Sequence, residues 1–262
     1  MSGPAASPPV ASLPMYDWPE VAWATDALWR AIAERLASVG IEAPGALERS
    51  RDAEAVWRDP GLVLSQTCGY PYAMRLQDSV TLVATPVYGV AGCEGPLYSS
   101  FVIARREEQG RALADFAGRS IAFNARDSFS GCVALVAAMK EAGADPASAD
   151  WVETGSHRAS LRAVADGRAD LAAIDAVVWA FAERYEAGAV SRLRAIMRTP
   201  VRPALPFITA ACRSAVEVDD IRAALLDALA SGEAADAREA LGIAGAAVLP
   251  AADYAPLVLL GR

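Results

Sequence analysis

From Arg119 onward the chain repeats one pattern three times: a short apolar run, a polar loop, then a helix-forming stretch. SIAFN is followed by DSFSG and VALVAAMKEAG, WVETGSH by RASLRAVADG, and LAAID by AVVWAFAERYEAG. Such alternation predicts a parallel sheet with covering helices, because parallel neighbours must be joined by a crossover and that crossover is usually helical. The pattern also says where chemistry should be sought. Open α/β sheets present ligands at the carboxyl ends of their strands, where each strand hands over to a loop and a helix N-terminus.

The flanking segments carry weaker versions of the same signals. Val21, Ala24, Leu28, Ala31, Ile32 and Val39 recur at helical spacing after Pro19 and Glu20, and Gly40 ends the run. Strand-like runs lie at 62–65, 80–87 and 101–104, and a further one at 207–211 precedes two helices at about 218–231 and 233–241. The expected architecture is α/β with two lobes and a ligand cleft between them. Residues 13–104 and 201–262 form a discontinuous first lobe, and 105–200 form an inserted second lobe. The opening MSGPAASPPVASLP lacks the basic and continuous apolar regions of a secretory signal, so residues 1–12 read as a disordered tail.

Composition removes several function classes. A net charge of -8 and no basic cluster argue against nucleic acid, whose binding depends on Lys and Arg releasing counterions. No stretch approaches the roughly 20 consecutive apolar residues of a membrane helix. His157 is the single histidine, and Cys68, Cys93, Cys132 and Cys212 show no C-x-x-C pair, so neither a metal site nor a cofactor is expected. Spacing leaves two readings of the cysteines equally open: a disulfide between Cys68 and Cys93, both within the larger lobe, or four buried thiols. No G-x-S-x-G elbow, P-loop or H-E-x-x-H occurs, which counts modestly against an enzyme.

The strand-to-helix junctions hold the candidate chemistry. At the first, Ser128, Ser130 and the Gly131 amide can converge on an anion, because the first helical turn offers unpaired N–H groups and about half a positive charge. Alone, S-x-x-G is more often a simple helix cap. The second junction, Thr154, Gly155, Ser156 and His157, repeats the chemistry beside the first. The third carries Asp175, which either caps its helix or accepts a hydrogen bond from a protonated oxyanion or an ammonium group. Elsewhere, Gln66, Thr67 and the segment containing Tyr98 are rich in donors that could equally serve turns. Tyr16 reads either as a cleft wall or as a half-buried core aromatic.

Five segments together resemble the phosphate, phosphite and phosphonate substrate-binding proteins of ABC transporters: LSQTCGYP at 64–71, GCEGPLYSS at 92–100, DSFSG at 127–131, TGSHRASLRAVADGRADLAAID at 154–175 and TPVRPALPFITA at 199–210. The resemblance implies a type II periplasmic-binding-protein fold that captures a small phosphorus oxyanion for an ABC transporter permease, in the periplasm, as a monomer and without catalysis. It transfers oxyanion contacts to Ser128, Ser130, Gly131, Thr154, Ser156 and His157, and cleft positions to Tyr16, Gln66, Tyr98 and Asp175. A lyase of the chorismate-dehydratase kind, or a ligand-loaded sensor for a membrane kinase, could use the same scaffold.

Overall fold

Buried, mostly apolar runs set the central strands of this protein, such as 62–66, 120–123 and 171–175, and helices cover them. The computed structural model describes residues 7–261. In chain order, β1 (Val10–Ser12), β2 (Leu62–Gln66) and β3 (Val80–Tyr88) belong to a first compact unit. The chain then forms β4 (Cys93–Glu94), β5 (Leu97–Tyr98), β6 (Ser100–Arg105), β7 (Ser120–Phe123), β8 (Asp150–Glu153), β9 (Leu171–Asp175) and β10 (Leu193–Arg198) in a second. It crosses back at β11 (Arg202–Pro203) to add β12 (Phe207–Ala210) and β13 (Ile243–Ala247) to the first unit. The last residues, from Ala255 on, return to the second unit.

The first unit is built on a sheet of order β1-β2-β12-β3-β13. β1 and β2 are parallel, whereas β12 runs antiparallel to both β2 and β3, and β13 antiparallel to β3. The carboxyl ends of β1, β2 and β3 therefore share one edge. Helix Ala22–Ser38 packs on helices Ala215–Ala230 and Ala235–Leu241, and its Ala24, Leu28, Trp29, Ile32 and Leu36 are buried. Each large aliphatic side chain removed from water there contributes about 1.5–3 kcal/mol. Val39, which spacing joined to this face, lies beyond the helix end and is 50% exposed.

Two boundaries differ from expectation. Of the segment read as a disordered tail, residues 1–6 lie outside the described residues, but Val10–Ser12 is a buried strand paired with β2. A bond of 2.7 Å between the Ser12 and Ser65 hydroxyls satisfies the polar side chain buried by that pairing. The proline-rich composition just upstream concealed a strand too short to show alternation.

The second difference concerns the lobes. The units divide at Gly89/Val90 and Arg202/Pro203, not at 104/105 and 200/201. The reason is β6, which inserts between β9 and β10 in the second sheet, of order β10-β6-β9-β7-β8. Cys93 and Tyr98 consequently belong to the second unit and Cys68 to the first, so the two cysteines do not share a lobe; all four cysteines are free thiols.

Within the second sheet, β7 is parallel to both β8 and β9, as the alternating pattern required, while β6 and β10 form an antiparallel extension. Val102, Phe116, Ile121, Leu135, Met139 and Leu171 fill the core between sheet and helices. Among the described residues no helix is long and apolar enough to cross a membrane. Leu171 is fully buried on β9 at the centre of that core. Leu171→Ala is expected to lower stability by about 2–5 kcal/mol, read as a fall in the urea midpoint with an unchanged m-value.

Candidate oxyanion site

Because β8, β7 and β9 lie side by side and parallel, their carboxyl ends reach one edge of the second sheet, and the three junctions sit there together. Backbone bonds lock the first two: Thr154 N–H donates to the Phe123 carbonyl at 2.9 Å and Gly155 N–H to that of Asn124 at 3.1 Å. The Thr154 hydroxyl adds a third link to Phe123 O at 2.9 Å and lies 2.7 Å from the Ser160 hydroxyl. Gly155 supplies the positive φ of +82° that the tight turn needs.

Ser128 begins the helical segment after β7 with extended backbone angles, its hydroxyl accepting from Gly131 N–H at 3.2 Å. The turn is wide. Both Cys132 and Val133 amides donate to the Ser128 carbonyl at 3.1 Å, the second spanning five residues. The Phe129 and Ser130 amides stand in the first turn, where no preceding carbonyl of the helix can accept from them. Ser156 opens helix His157–Ala165 in the same way, accepting from Ala159 N–H at 3.1 Å. Asp175 does so for helix Ala176–Tyr185, with Oδ1 accepting from Val177 and Val178 at 2.8 and 3.3 Å. All three junction residues are therefore caps; Ser128 and Asp175 are buried and Ser156 is exposed.

The contact that exceeds capping joins the first two junctions. Ser130 Oγ lies 2.8 Å from His157 Nε2. Behind it, the Ser100 hydroxyl donates to the Ser130 carbonyl at 2.9 Å, and Ser100 N–H in turn donates to the Thr199 hydroxyl at 2.9 Å. Burial pushes the His157 imidazole down to about 4, with the Ala173 carbonyl opposing that shift, so the ring is neutral near pH 7. Gly131 is required for space: a Cβ there would stand 1.9 Å from Asn124 Oδ1 and 2.9 Å from His157 Cε1. Arg126, the cation of this loop, lies over the Phe123 ring at 5.2 Å. The hydroxyls, amides and imidazole of the first two junctions are neutral, while Asp175 brings a carboxyl to the third.

The expected residues of the first unit gather at the shared edge of β1, β2 and β3. Tyr16 packs edge-on against Tyr88, with ring centroids 5.4 Å apart. Gln66 Nε2 donates to the Tyr88 hydroxyl and to the Leu205 carbonyl, both at 3.0 Å. Tyr16, Gln66, Tyr88 and Phe207 line one recess there, with Leu28 and Thr25. Thr67 is buried, its amide donating to the Pro206 carbonyl at 3.1 Å. Tyr98 is buried on β5 of the second unit, opposite Cys93. Sequence reasoning missed Tyr88, Ser100, Thr199 and Asn124. Ser100, Asn124 and Thr199 stood inside quoted segments, but nothing in spacing marked them as neighbours of Ser130 and Gly131.

The histidine has a measurable signature. Its folded value lies below the unfolded 6.5, so the unfolded chain binds the proton first and stability is lost as pH falls from about 6.5 to about 4. The loss from this group amounts to about 3 kcal/mol at most. Denaturant unfolding at pH 7 and near pH 4 is expected to show a larger drop for the wild type than for His157→Gln; equal drops would mean that the imidazole is not desolvated.

A family model described as "ABC transporter, phosphonate, periplasmic substrate-binding protein" matches residues 62–254. A search of curated proteins finds no match. Among solved structures, PhnD1 from Prochlorococcus marinus, in complex with methylphosphonate, superposes with a TM-score of 0.78 at 15% identity over 97% of each chain. XAC2383 from Xanthomonas citri, bound to chloride, gives 0.76 at 18% identity over 97% of this chain and 95% of that one. The binding-protein component PA3383 of an ABC phosphonate transporter from Pseudomonas aeruginosa gives 0.74 at 14% identity, covering 97% and 85%. At these identities the likeness establishes the type II periplasmic-binding-protein fold. The family match covers most of the chain, and the protein belongs to the periplasmic phosphonate substrate-binding family of ABC transporters.

Proposed function

We propose that this protein captures a small phosphorus oxyanion, a phosphonate, phosphate or phosphite, in the periplasm as a monomer and delivers it unchanged to an ABC transporter permease. The observation that carries the reading is the Ser130–His157 contact at the N-terminus of the helical segment after β7. A preorganised set of neutral groups, first-turn amides and a helix dipole can hold an anion without a cation, since donors aligned by the fold lose little entropy on binding. That suits a chain of net charge -8. PhnD1, with which the fold superposes, was solved with methylphosphonate.

In this reading Ser130, His157 and the Phe129 and Ser130 amides meet the oxyanion. Ser128, Gly131, Thr154 and Ser156 hold the backbone that presents them, and Asp175 closes the third junction. Tyr16, Gln66, Thr67 and Tyr98 keep their expected part in ligand binding, open to test by substitution.

Calorimetry and thermal shift against methylphosphonate, phosphate and phosphite, with chloride and malate as controls, decide the matter. A phosphorus oxyanion at a hundredfold excess over Kd is expected to stabilise the protein by about 2.7 kcal/mol. Ser130→Ala should weaken binding roughly tenfold to a hundredfold, corresponding to about 1.5–3 kcal/mol for a hydrogen bond to a charged group. The ligand should be recovered intact by phosphorus NMR. Absence of any shift with all three oxyanions would refute the proposal, and turnover of the ligand would replace binding by catalysis.

A further inference from the structure

We infer that Ser100 and Thr199 are positioning residues for oxyanion binding: two hydrogen bonds in series hold the wide turn after β7 in the shape that presents the Phe129 and Ser130 amides and the Ser130 hydroxyl. The inference rests on the oxyanion reading above and adds what fixes that site from behind.

The turn needs support from outside. It is closed by bonds that span five residues, Val133 N–H donating to the Ser128 carbonyl and Ala134 N–H to that of Phe129. Such spacing is rare beside the four-residue spacing of an α-helix, and it persists where the surroundings favour it. Rewinding to the tighter spacing would move Ser130 relative to His157 Nε2, now 2.8 Å from its hydroxyl. The support arrives at the Ser130 backbone. The Ser100 hydroxyl reaches the Ser130 carbonyl at 2.9 Å, and it must be the donor because a carbonyl can only accept. Ser100, Ser130 and Thr199 are all buried, so water does not compete for these bonds.

Ser100 can serve in this way because it is itself held on both sides. It opens β6 in register with Asp175 of β9, and the neighbouring Ser99 carbonyl accepts from Ala176 N–H at 3.1 Å. On its other side it faces Thr199, whose amide donates to the Ser100 carbonyl at 2.9 Å. A hydrogen-bonded antiparallel pair would exchange a second backbone bond. Here β10 has ended at Arg198 and Pro200 follows, and the Thr199 hydroxyl takes the place of the missing carbonyl, accepting from Ser100 N–H at 2.9 Å. The threonine therefore reaches the site only through Ser100. It also lies just before Arg202, the last residue of the second unit before the chain returns to the first, so this stretch is tied to the turn by two side-chain hydroxyls.

The test is calorimetry on variants of the full chain with methylphosphonate, phosphate and phosphite, with Kd taken from the binding-competent fraction. Ser100→Ala is expected to raise Kd about fivefold to tenfold, as the fraction of chains holding the competent turn falls. Thr199→Val keeps the shape and removes the acceptor, and should raise Kd about threefold, whereas Thr199→Ser keeps the hydroxyl and should stay within about twofold of wild type. Combined with Ser100→Ala, Thr199→Val should add nothing further to Kd, since the hydroxyl it acts through is already gone. Ser120→Ala removes a hydroxyl that bonds Asp170 at 2.9 Å at the start of β7 and serves as the stability control, with a lower urea midpoint and an unchanged Kd.

Wild-type Kd in both Ser100→Ala and Thr199→Val overturns the inference and leaves oxyanion capture intact. Effects on Kd that multiply in the double variant, or equal Kd for Thr199→Val and Thr199→Ser, overturn the series arrangement. If Ser100→Ala does not fold, the comparison of valine with serine at 199 decides alone. Failure of the wild type to bind any of the three oxyanions overturns both readings.

Discussion

The parallel pairing of β7 with β8 on one side and β9 on the other is the constraint on which the site depends. Parallel neighbours must exit at the same edge, so three loops and three helix N-termini are brought together by topology alone. Each junction then needs a residue to satisfy its orphan amides, and Ser128, Ser156 and Asp175 do so. Capping and the proposed ligand recognition are consequently not alternatives here. The caps fix the turns, and the residues one or two places further on, Ser130 and His157, are the ones left to touch each other.

Electrostatics explains how an acidic protein could offer the proposed anion site. Its arginines near this edge are engaged elsewhere. Arg158, next to His157, and Arg162 one turn later both pair with Glu186, and they hold that carboxyl below the usual range, Arg162 most strongly. Arg126 rests on Phe123. On the opposite side of the same unit Arg105 is committed to Glu108 and Asp170. Except for Arg162, these paired side chains are largely buried. Beside the Asp175 carboxyl, the edge then offers hydroxyls, amides and a neutral imidazole, groups that discriminate by geometry where a lysine would respond to charge alone.

Legibility in the sequence followed the range of the signal. Strand, loop and helix alternation between Arg119 and Gly188 is local, and the elements, their parallel direction and the three junctions could be read from it, but not the order β8-β7-β9 in which they lie. Long-range pairing could not be read. Nothing in SFVIA says that it hydrogen-bonds to β9 and β10, and this single pairing moves the lobe boundary from 104 to 89 and carries Cys93 and Tyr98 with it. β1 was hidden for a related reason, since three residues cannot display alternation and only its partner β2 reveals it.

Gly131 shows how residue-level function escapes a motif reading. In the sequence its amide read as one of the groups that converge on an anion. In the fold its missing Cβ is already occupied, by Asn124 Oδ1 from one side and His157 Cε1 from the other. The glycine therefore acts one step earlier than expected: it lets the loop after β7 close against the helix after β8, and that closure places His157 on Ser130. A side chain at 131 would separate the two junctions before any ligand arrived. The motif D-S-x-S-G can then be understood as one device, in which the first serine holds the turn, the glycine admits the neighbouring helix, and the second serine meets what that helix brings.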